Sequence, residues 1–226
     1  MPSLICARKI CKSYWIEDTE TPVLKGVDLD IEARSLTAIV GSSGAGKSTL
    51  LHVLSSLDPP SEGDVLFEGQ PLYGRSDENL SRFRNRTMGF VFQFHHLLLE
   101  FTARENVMMP LLMRSESKSR ASEKAEGWLV RLGLGDRSEH RPAELSGGEQ
   151  QRVAVARALV GEPRIVFADE PTGNLDEENG KKLMDLLLDL HREREMALVM
   201  VTHNPAVAAR FPEKIRLEGG RVGTEK

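Results

Sequence analysis

Two periodicities take turns along the chain. "LTAIV" (36–40), "RIVFADE" (164–170) and "ALVMVTH" (197–203) are short apolar runs closed by Gly41 or by polar residues, the pattern of strands buried on both faces of a parallel sheet. Elsewhere apolar residues recur at three- and four-residue spacing: Leu50, Leu54 and Leu57 in "KSTLLHVLSSL", and Leu183, Leu187 and Leu190 in "KKLMDLLLDLH". That spacing predicts helices, and Asp58-Pro59-Pro60 stops the first. Nearer the start, "VDLDIEA" and "GDVLFEGQPLY" alternate with period two, predicting a small antiparallel sheet beside the parallel core. In the middle, Thr102 and Glu105 have capping-box spacing at the head of "RENVMMPLLMR". Ala121, Ala125, Trp128, Leu129 and Leu132 line one face of a further helix that stops near Gly133 and Gly135. The pattern predicts a single α/β domain over 1–226, with a helical insertion at 95–160 and the core plus antiparallel subdomain formed by 1–94 and 161–226.

Composition excludes several classes. With 40% hydrophobic and 28% charged residues the chain is of ordinary globular type. Its net charge of -4 offers no general attraction to nucleic acid or to an anionic membrane surface. Cys6 and Cys11, the only thiols, lack disulfide-framework or zinc spacing, which suits a reducing compartment. "MPSLICARKICKSYW" mixes Arg and Lys into its short apolar run and has no cleavage pattern, so it reads as a first strand rather than a signal peptide. The longest apolar run, 107–113, contains Pro110 and is far shorter than the roughly 20 residues of a membrane span. His95 and His96 are adjacent on a loop with no carboxylate or thiol pattern beside them, so metal binding is not expected there.

The chemistry begins at "GSSGAGKST". Gly41, Gly46, Lys47 and Ser48 match the P-loop pattern in a strand-loop-helix context. Backbone N–H groups of Gly41, Ser42, Ser43, Gly44, Ala45 and Gly46 are placed to wrap phosphates, with Thr49 continuing the helix. Lys47 reaches the β and γ groups, and the Ser48 hydroxyl is a Mg²⁺ ligand. The expected fold is therefore a P-loop NTPase with a RecA-like core, an antiparallel β subdomain and an inserted α-helical subdomain. Asp169 and Glu170 end an apolar strand, at the sheet edge where ligands of such folds gather. Alone they would read as a solvated acidic turn; beside a P-loop, Asp169 is a candidate Mg²⁺ holder through water and Glu170 a candidate base for the attacking water. "LSGGEQQR" adds a second phosphate grip. Ser146 and Glu149 have the spacing of a capping box, which by itself marks a helix start more often than a ligand site. Gly147 and Gly148 strip that helix start of side chains and leave its donors open to an anion.

With "GSSGAGKST", "LSGGEQQR" and "FADE" in one chain, the sequence resembles the ATP-binding cassette (ABC) ATPases from Tyr14 past His203. The resemblance implies ATP and Mg²⁺ as cofactors, hydrolysis of ATP to ADP and phosphate, and a head-to-tail dimer. In that dimer Ser146, Gly147, Gly148 and Glu149 of one copy face the γ-phosphate on the P-loop of the other. It also implies that Tyr14 stacks on adenine, that Gln93 after "MGFVF" reaches Mg²⁺ or the attacking water, and that His203 contacts the γ-phosphate. Asp176 in "GNLD" resembles the aspartate that crosses the dimer interface and equally suits the cap of the next helix. Tyr14 has the alternative of an ordinary strand-end aromatic. Asn204 stands where most relatives have Asp, with Pro205 at the first helical position, so a helix cap survives while one charge is lost.

"QFHHLLLEFTARENVMMPLL" and "DEPTGNLD" resemble the lipoprotein-releasing branch of the family, with Leu99 at a usual Pro position. That branch implies integral membrane subunits of the LolC/LolE type as partners and a peripheral location on the cytoplasmic face of the inner membrane. Met108, Met109 and Met113 either offer adaptable apolar surface to such a partner or belong to the core. A MacB-type export ATPase and an FtsE-like signalling subunit are the alternatives. No N-K-x-D pattern supports a GTPase, and no long coiled-coil or zinc insertion supports a DNA-repair relative.

Overall fold

Alternate burial is clearest along Val27, Leu29 and Ile31, each buried between exposed neighbours, so the period-two reading of this stretch corresponds to a real strand face. The computed structural model of the chain describes residues 3–223. In chain order its elements are β1 (Ser3–Ile16), β2 (Thr19–Glu32), β3 (Leu36–Val40), α1 (Lys47–Leu54), β4 (Glu62–Phe67), β5 (Gln70–Pro71), α2 (Asp77–Thr87) and β6 (Met88–Phe92). They continue with α3 (Ala103–Leu112), α4 (Lys118–Arg131), α5 (Gly147–Leu159), β7 (Ile165–Asp169), α6 (Glu177–Arg194), β8 (Ala197–Val201), α7 (Pro205–Ala208), β9 (Glu213–Glu218) and β10 (Arg221–Val222). Two packing units result, one running to Ser81 and resuming at Glu195, the other Arg82–Arg194.

In the first unit β2, β1, β4 and β5 form an antiparallel sheet in that order. At fourteen residues each, β1 and β2 make it larger than the sequence suggested. Their hairpin turns through Glu17, whose φ is 54°, and leaves Trp15 68% exposed at its tip. β3 lies between β8 and β9 and is parallel to both, with β10 pairing antiparallel to β9. All five residues of β8 are buried, as a strand covered on both faces requires.

Helix α1 departs from its expected end. It stops at Leu54 and Ser56 takes φ 59°, which turns Leu57 out to 43% exposure instead of onto the buried face with Leu50 and Leu54. The Tyr73 hydroxyl fixes this exit by sharing its one proton between the carbonyls of Val53 at 2.7 Å and Asp58 at 2.8 Å.

The second unit contains β6 parallel to β7, paired from Met88 opposite Ile165 to Phe92 opposite Asp169. Residues 95–160 contain helices and short 3₁₀ turns but no strand, while the unit that holds them also takes in β6, β7 and α6. Thr102 caps α3 with both halves of the capping box formed. Ala121, Ala125, Trp128, Leu129 and Leu132 are all buried; each such leucine contributes roughly 1.5–3 kcal/mol. Two guanidinium groups, those of Arg131 and Arg194, each lie 5.3 Å from the Trp128 ring centroid. Gly89 allows β6 to meet α5 backbone to backbone, since a Cβ there would fall 2.5 Å from the Ala158 carbonyl oxygen. Among the described residues no helix is long and apolar enough to cross a membrane.

Candidate active site

The P-loop leaves β3 at Gly41, where a Cβ would collide with the carbonyl oxygen of Leu217. It enters α1 through Gly46, the cap residue, at φ 96° and with room for a Cβ only 3.0 Å from Val23 Cγ1. Only glycine meets both demands. Lys47 is buried, and its Nζ donates to the Ser42 carbonyl at 2.9 Å, so the ammonium is directed into the loop. Ser48 and Thr49 occupy the first turn of α1, where backbone N–H groups have no intrahelical acceptor and the dipole is positive. A cradle of this shape and charge fits a polyphosphate. His203 follows β8 and shares a cavity of about 310 Å³ with Val40, Gly41, Asn204, Lys214 and Arg216, so the histidine and the start of the P-loop face one hollow. Asn204 caps α7, accepting from Ala206 N at 2.9 Å and Val207 N at 3.4 Å. The expected cap is therefore formed without the aspartate charge.

Tyr14 stands near the end of β1, and its hydroxyl donates to Asp58 Oδ2 at 2.7 Å. Lys12 donates to the other Asp58 oxygen and to the Pro59 carbonyl, and its Nζ lies 5.1 Å from the Tyr14 ring centroid. Burial, then the bond to Asp58, pushes the phenol above its ordinary pKa.

In the second unit the register of β6 against β7 brings Gln93 and the pair Asp169 and Glu170 to one end of two neighbouring parallel strands. Glu170 lies just past β7 at φ 47°, a left-handed conformation that costs about 1–2 kcal/mol in a residue with a Cβ. The turn it opens closes with Gly173 N donating to the Glu170 carbonyl at 2.9 Å. Gln93 Nε2 donates to Asn174 Oδ1 at 3.1 Å, and Asn174 Nδ2 returns a bond to the Gln93 carbonyl at 3.0 Å. Gly173 makes room for this exchange; a Cβ there would stand 2.8 Å from Gln93 Nε2.

Ser146 caps α5, and the capping box is complete: Ser146 N and Oγ both donate to Glu149 Oε2 at 2.8 Å, while Glu149 N donates to Ser146 Oγ. These bonds, with Arg137 at 3.3 Å, hold the Glu149 carboxyl below the usual carboxylate range. Glu149 is thus engaged within its own helix start. Gly147 and Gly148 form the tip: a Cβ at Gly147 would meet nothing within 4 Å, and one at Gly148 only the Asn179 side chain at 3.7 Å. Asp176 caps the start of α6, accepting from Asn179 N at 2.9 Å, and Asn179 depresses its pKa. Met108 is core, Met109 half-buried and Met113 70% exposed.

Four residues outside the sequence-derived set organise this site. Gln151 on α5 donates from Nε2 to the carbonyls of Phe92 and Pro171. Asn174 holds Gln93, as above. Arg157 donates to the carbonyls of His95 at 2.7 Å and His96 at 2.6 Å, giving that loop a structural anchor; among the described residues no cluster of His, Cys, Asp and Glu is suited to a metal ion. Asn106 is buried and bonds Leu98 N at 2.8 Å and the carbonyls of Leu98, Phe101 and Thr102, which shapes the loop carrying Leu99. The signal for Gln151 was an amide in the apolar stripe it shares with Val155 and Ala158.

A glycine-bound phosphate loop entering a helix, and an acidic pair ending a parallel strand, define the class: a P-loop nucleoside triphosphatase. The ABC transporter family model matches residues 24–173. The chain is 51% identical to the lipoprotein-releasing system ATP-binding protein LolD of Syntrophus aciditrophicus, over 98% of this chain and 99% of that protein. It is 50% identical to the protein of the same name from Myxococcus xanthus, over 97% and 98%. In three dimensions it is similar to the ATP-binding cassette MJ0796 solved as a dimer in a post-hydrolysis state bound to ADP and Pi, with a TM-score of 0.91, 37% identity and coverage of 98% and 97%. The chain belongs to the ABC transporter family, as an ATP-binding subunit of the LolD type.

Proposed function

We propose that the chain drives release of lipoproteins from the inner membrane, docked at its cytoplasmic face on integral subunits of the LolC/LolE type, with two copies closing head to tail over two MgATP. The observation that carries this reading is the bare tip of α5, where Gly147 would offer a Cβ nothing within 4 Å. A helix start with free donors and no covering side chain calls for an anion brought by another molecule.

Within each chain, Gly41 to Thr49 would hold the nucleotide phosphates, with the Lys47 ammonium offsetting their charge, and Tyr14 would carry the adenine. Ser48, Asp169 and Gln93 are the residues to hold Mg²⁺, which when bound neutralises phosphate charge. Glu170, aimed by its left-handed backbone, takes a proton from the attacking water, and His203 donates to the terminal phosphate. From the other copy come Ser146, Gly147 and Gly148, with Glu149 bracing that tip and Asp176 at the interface. Charge-assisted hydrogen bonds of about 1.5–3 kcal/mol each form there only while the γ-phosphate joins the halves. Hydrolysis removes the shared ligand and the halves part. Residues 95–160 would serve as the helical lobe of one cassette, and Phe94, Leu98, Leu99 and Met113, all exposed, as the apolar surface that receives the membrane subunit. Reconstitution with LolC/LolE-type subunits tests this: ATP-dependent lipoprotein release is expected, whereas activation of a cell-wall hydrolase without release would assign an FtsE-like signalling role, and cargo export a MacB-type one.

A further inference from the structure

Gln151 is 1% exposed on α5, one helical turn from the Gly147 and Gly148 tip. Its Nε2 donates to the Pro171 carbonyl at 2.8 Å and to the Phe92 carbonyl at 3.2 Å. Those carbonyls belong to the residue after Glu170 and the residue before Gln93. A single amide nitrogen thus ties the phosphate-gripping helix to both neighbours of the catalytic pair. Only a neutral side chain with two protons on one nitrogen bridges two buried carbonyls without burying a charge. Its Oε1 is buried with no hydrogen-bond partner among the described residues, which marks a contact kept at a cost in stability. Two further links make the same region one body: Arg157 on α5 holds the His95 and His96 carbonyls, and Gln93 exchanges bonds with Asn174.

The consequence appears in the dimer described under the proposed function, on which this inference rests. There the tip of α5 grips the partner's nucleotide, while Gln93 and Glu170 of the same chain serve its own. We propose that Gln151 is the positioning residue that couples the two nucleotide sites, so that gripping at one sets Gln93 and Glu170 at the other. α5 transmits the movement as a rigid rod, because the distance from Gly148 to Gln151 is a single hydrogen-bonded turn. Arg157 keeps the loop after β6 attached, and Gln151 adds the carboxylate turn.

The test compares full-length wild type with Gln151→Leu and Gln151→Glu, measuring ATPase rate against ATP concentration and melting temperature, and, with Glu170→Gln added to each chain to block turnover, ATP-dependent dimerisation by size-exclusion chromatography. The expected Hill coefficient is about 2 for wild type and about 1 for Gln151→Leu, with half-saturating ATP within about twofold and dimerisation retained. Gln151→Glu donates a bond only when protonated, so its coefficient rises as pH is lowered while that of wild type stays level. An unchanged coefficient in Gln151→Leu overturns the coupling even if turnover falls, as does a wild-type coefficient of about 1. Failure of the Glu170→Gln chain, which cannot turn the nucleotide over, to dimerise with ATP instead overturns the dimer reading, and the coupling with it. Should Gln151→Leu not fold, hydrogen exchange on wild type with Mg²⁺ and a non-hydrolysable ATP analogue decides. Protection of amides 147–150 and 172–174 with one shared midpoint supports the coupling, and separate midpoints overturn it.

Discussion

Tyr14 and Asp58 are joined by a hydrogen bond of 2.7 Å, and Lys12 secures the same carboxylate from its other oxygen. The ring is therefore positioned by Asp58, beyond the P-loop helix, as well as by its own strand. Base stacking on an aromatic is worth about 1–3 kcal/mol. Tyr14→Ala should raise KM for ATP roughly tenfold with kcat within about twofold, and Asp58→Ala should raise it by a smaller factor, on the order of threefold, by letting the ring wander. Steady-state ATPase assays check both, and a fall in kcat with KM unchanged would contradict the assignment.

Glu170→Gln should bind ATP as wild type does while turnover drops at least about 100-fold, the usual loss when a general base is removed. The closed dimer should then accumulate with ATP on size exclusion. Normal turnover would remove Glu170 from the role of base.

Asn106 satisfies one backbone N–H and three carbonyls of the segment 98–102. Asn106→Leu takes this partner from Leu98 N and the Phe101 carbonyl, while the Leu98 and Thr102 carbonyls keep backbone donors, and should destabilise the chain by about 1–3 kcal/mol. Urea unfolding measures that loss, and limited proteolysis should find new cleavage between Leu98 and Thr102.

Glu149 titrates below the usual carboxylate range because Ser146 and Arg137 bind its charged form. A carboxyl whose folded pKa is depressed contributes stability that is present above its unfolded value, about 4.3, and is lost as pH falls through the folded one. At neutral pH Glu149→Gln should melt about 2–4 °C below wild type, as loss of roughly 1 kcal/mol at a helix start implies. The gap should close on acidification below about pH 4.3. A gap that persists there would show that charge plays no part.

Much of this molecule was readable in the chain because its signals are local. Gly41, Gly46 and Lys47 need only their own spacing, and Thr102 with Glu105 forms a cap three residues long. The buried strands β3, β7 and β8 announce themselves as apolar runs. What escaped depends on distant partners. Leu57 looks helical until Tyr73 draws the chain out of α1. The acceptors of Gln151 lie 59 and 20 residues away, and Gln93 finds Asn174 at a separation of 81. Helix α2 buries only Thr87, so hydrophobic periodicity had nothing to register.

The chain has two tryptophans, and their surroundings could hardly differ. Trp15 projects from a hairpin tip beside Tyr14, whereas Trp128 is buried on α4 with the guanidinium groups of Arg131 and Arg194 near its ring. Native fluorescence therefore carries two separable reporters without labelling. A soluble quencher extinguishes the first and spares the second, so nucleotide arrival and movement of the helices can be followed in one cuvette.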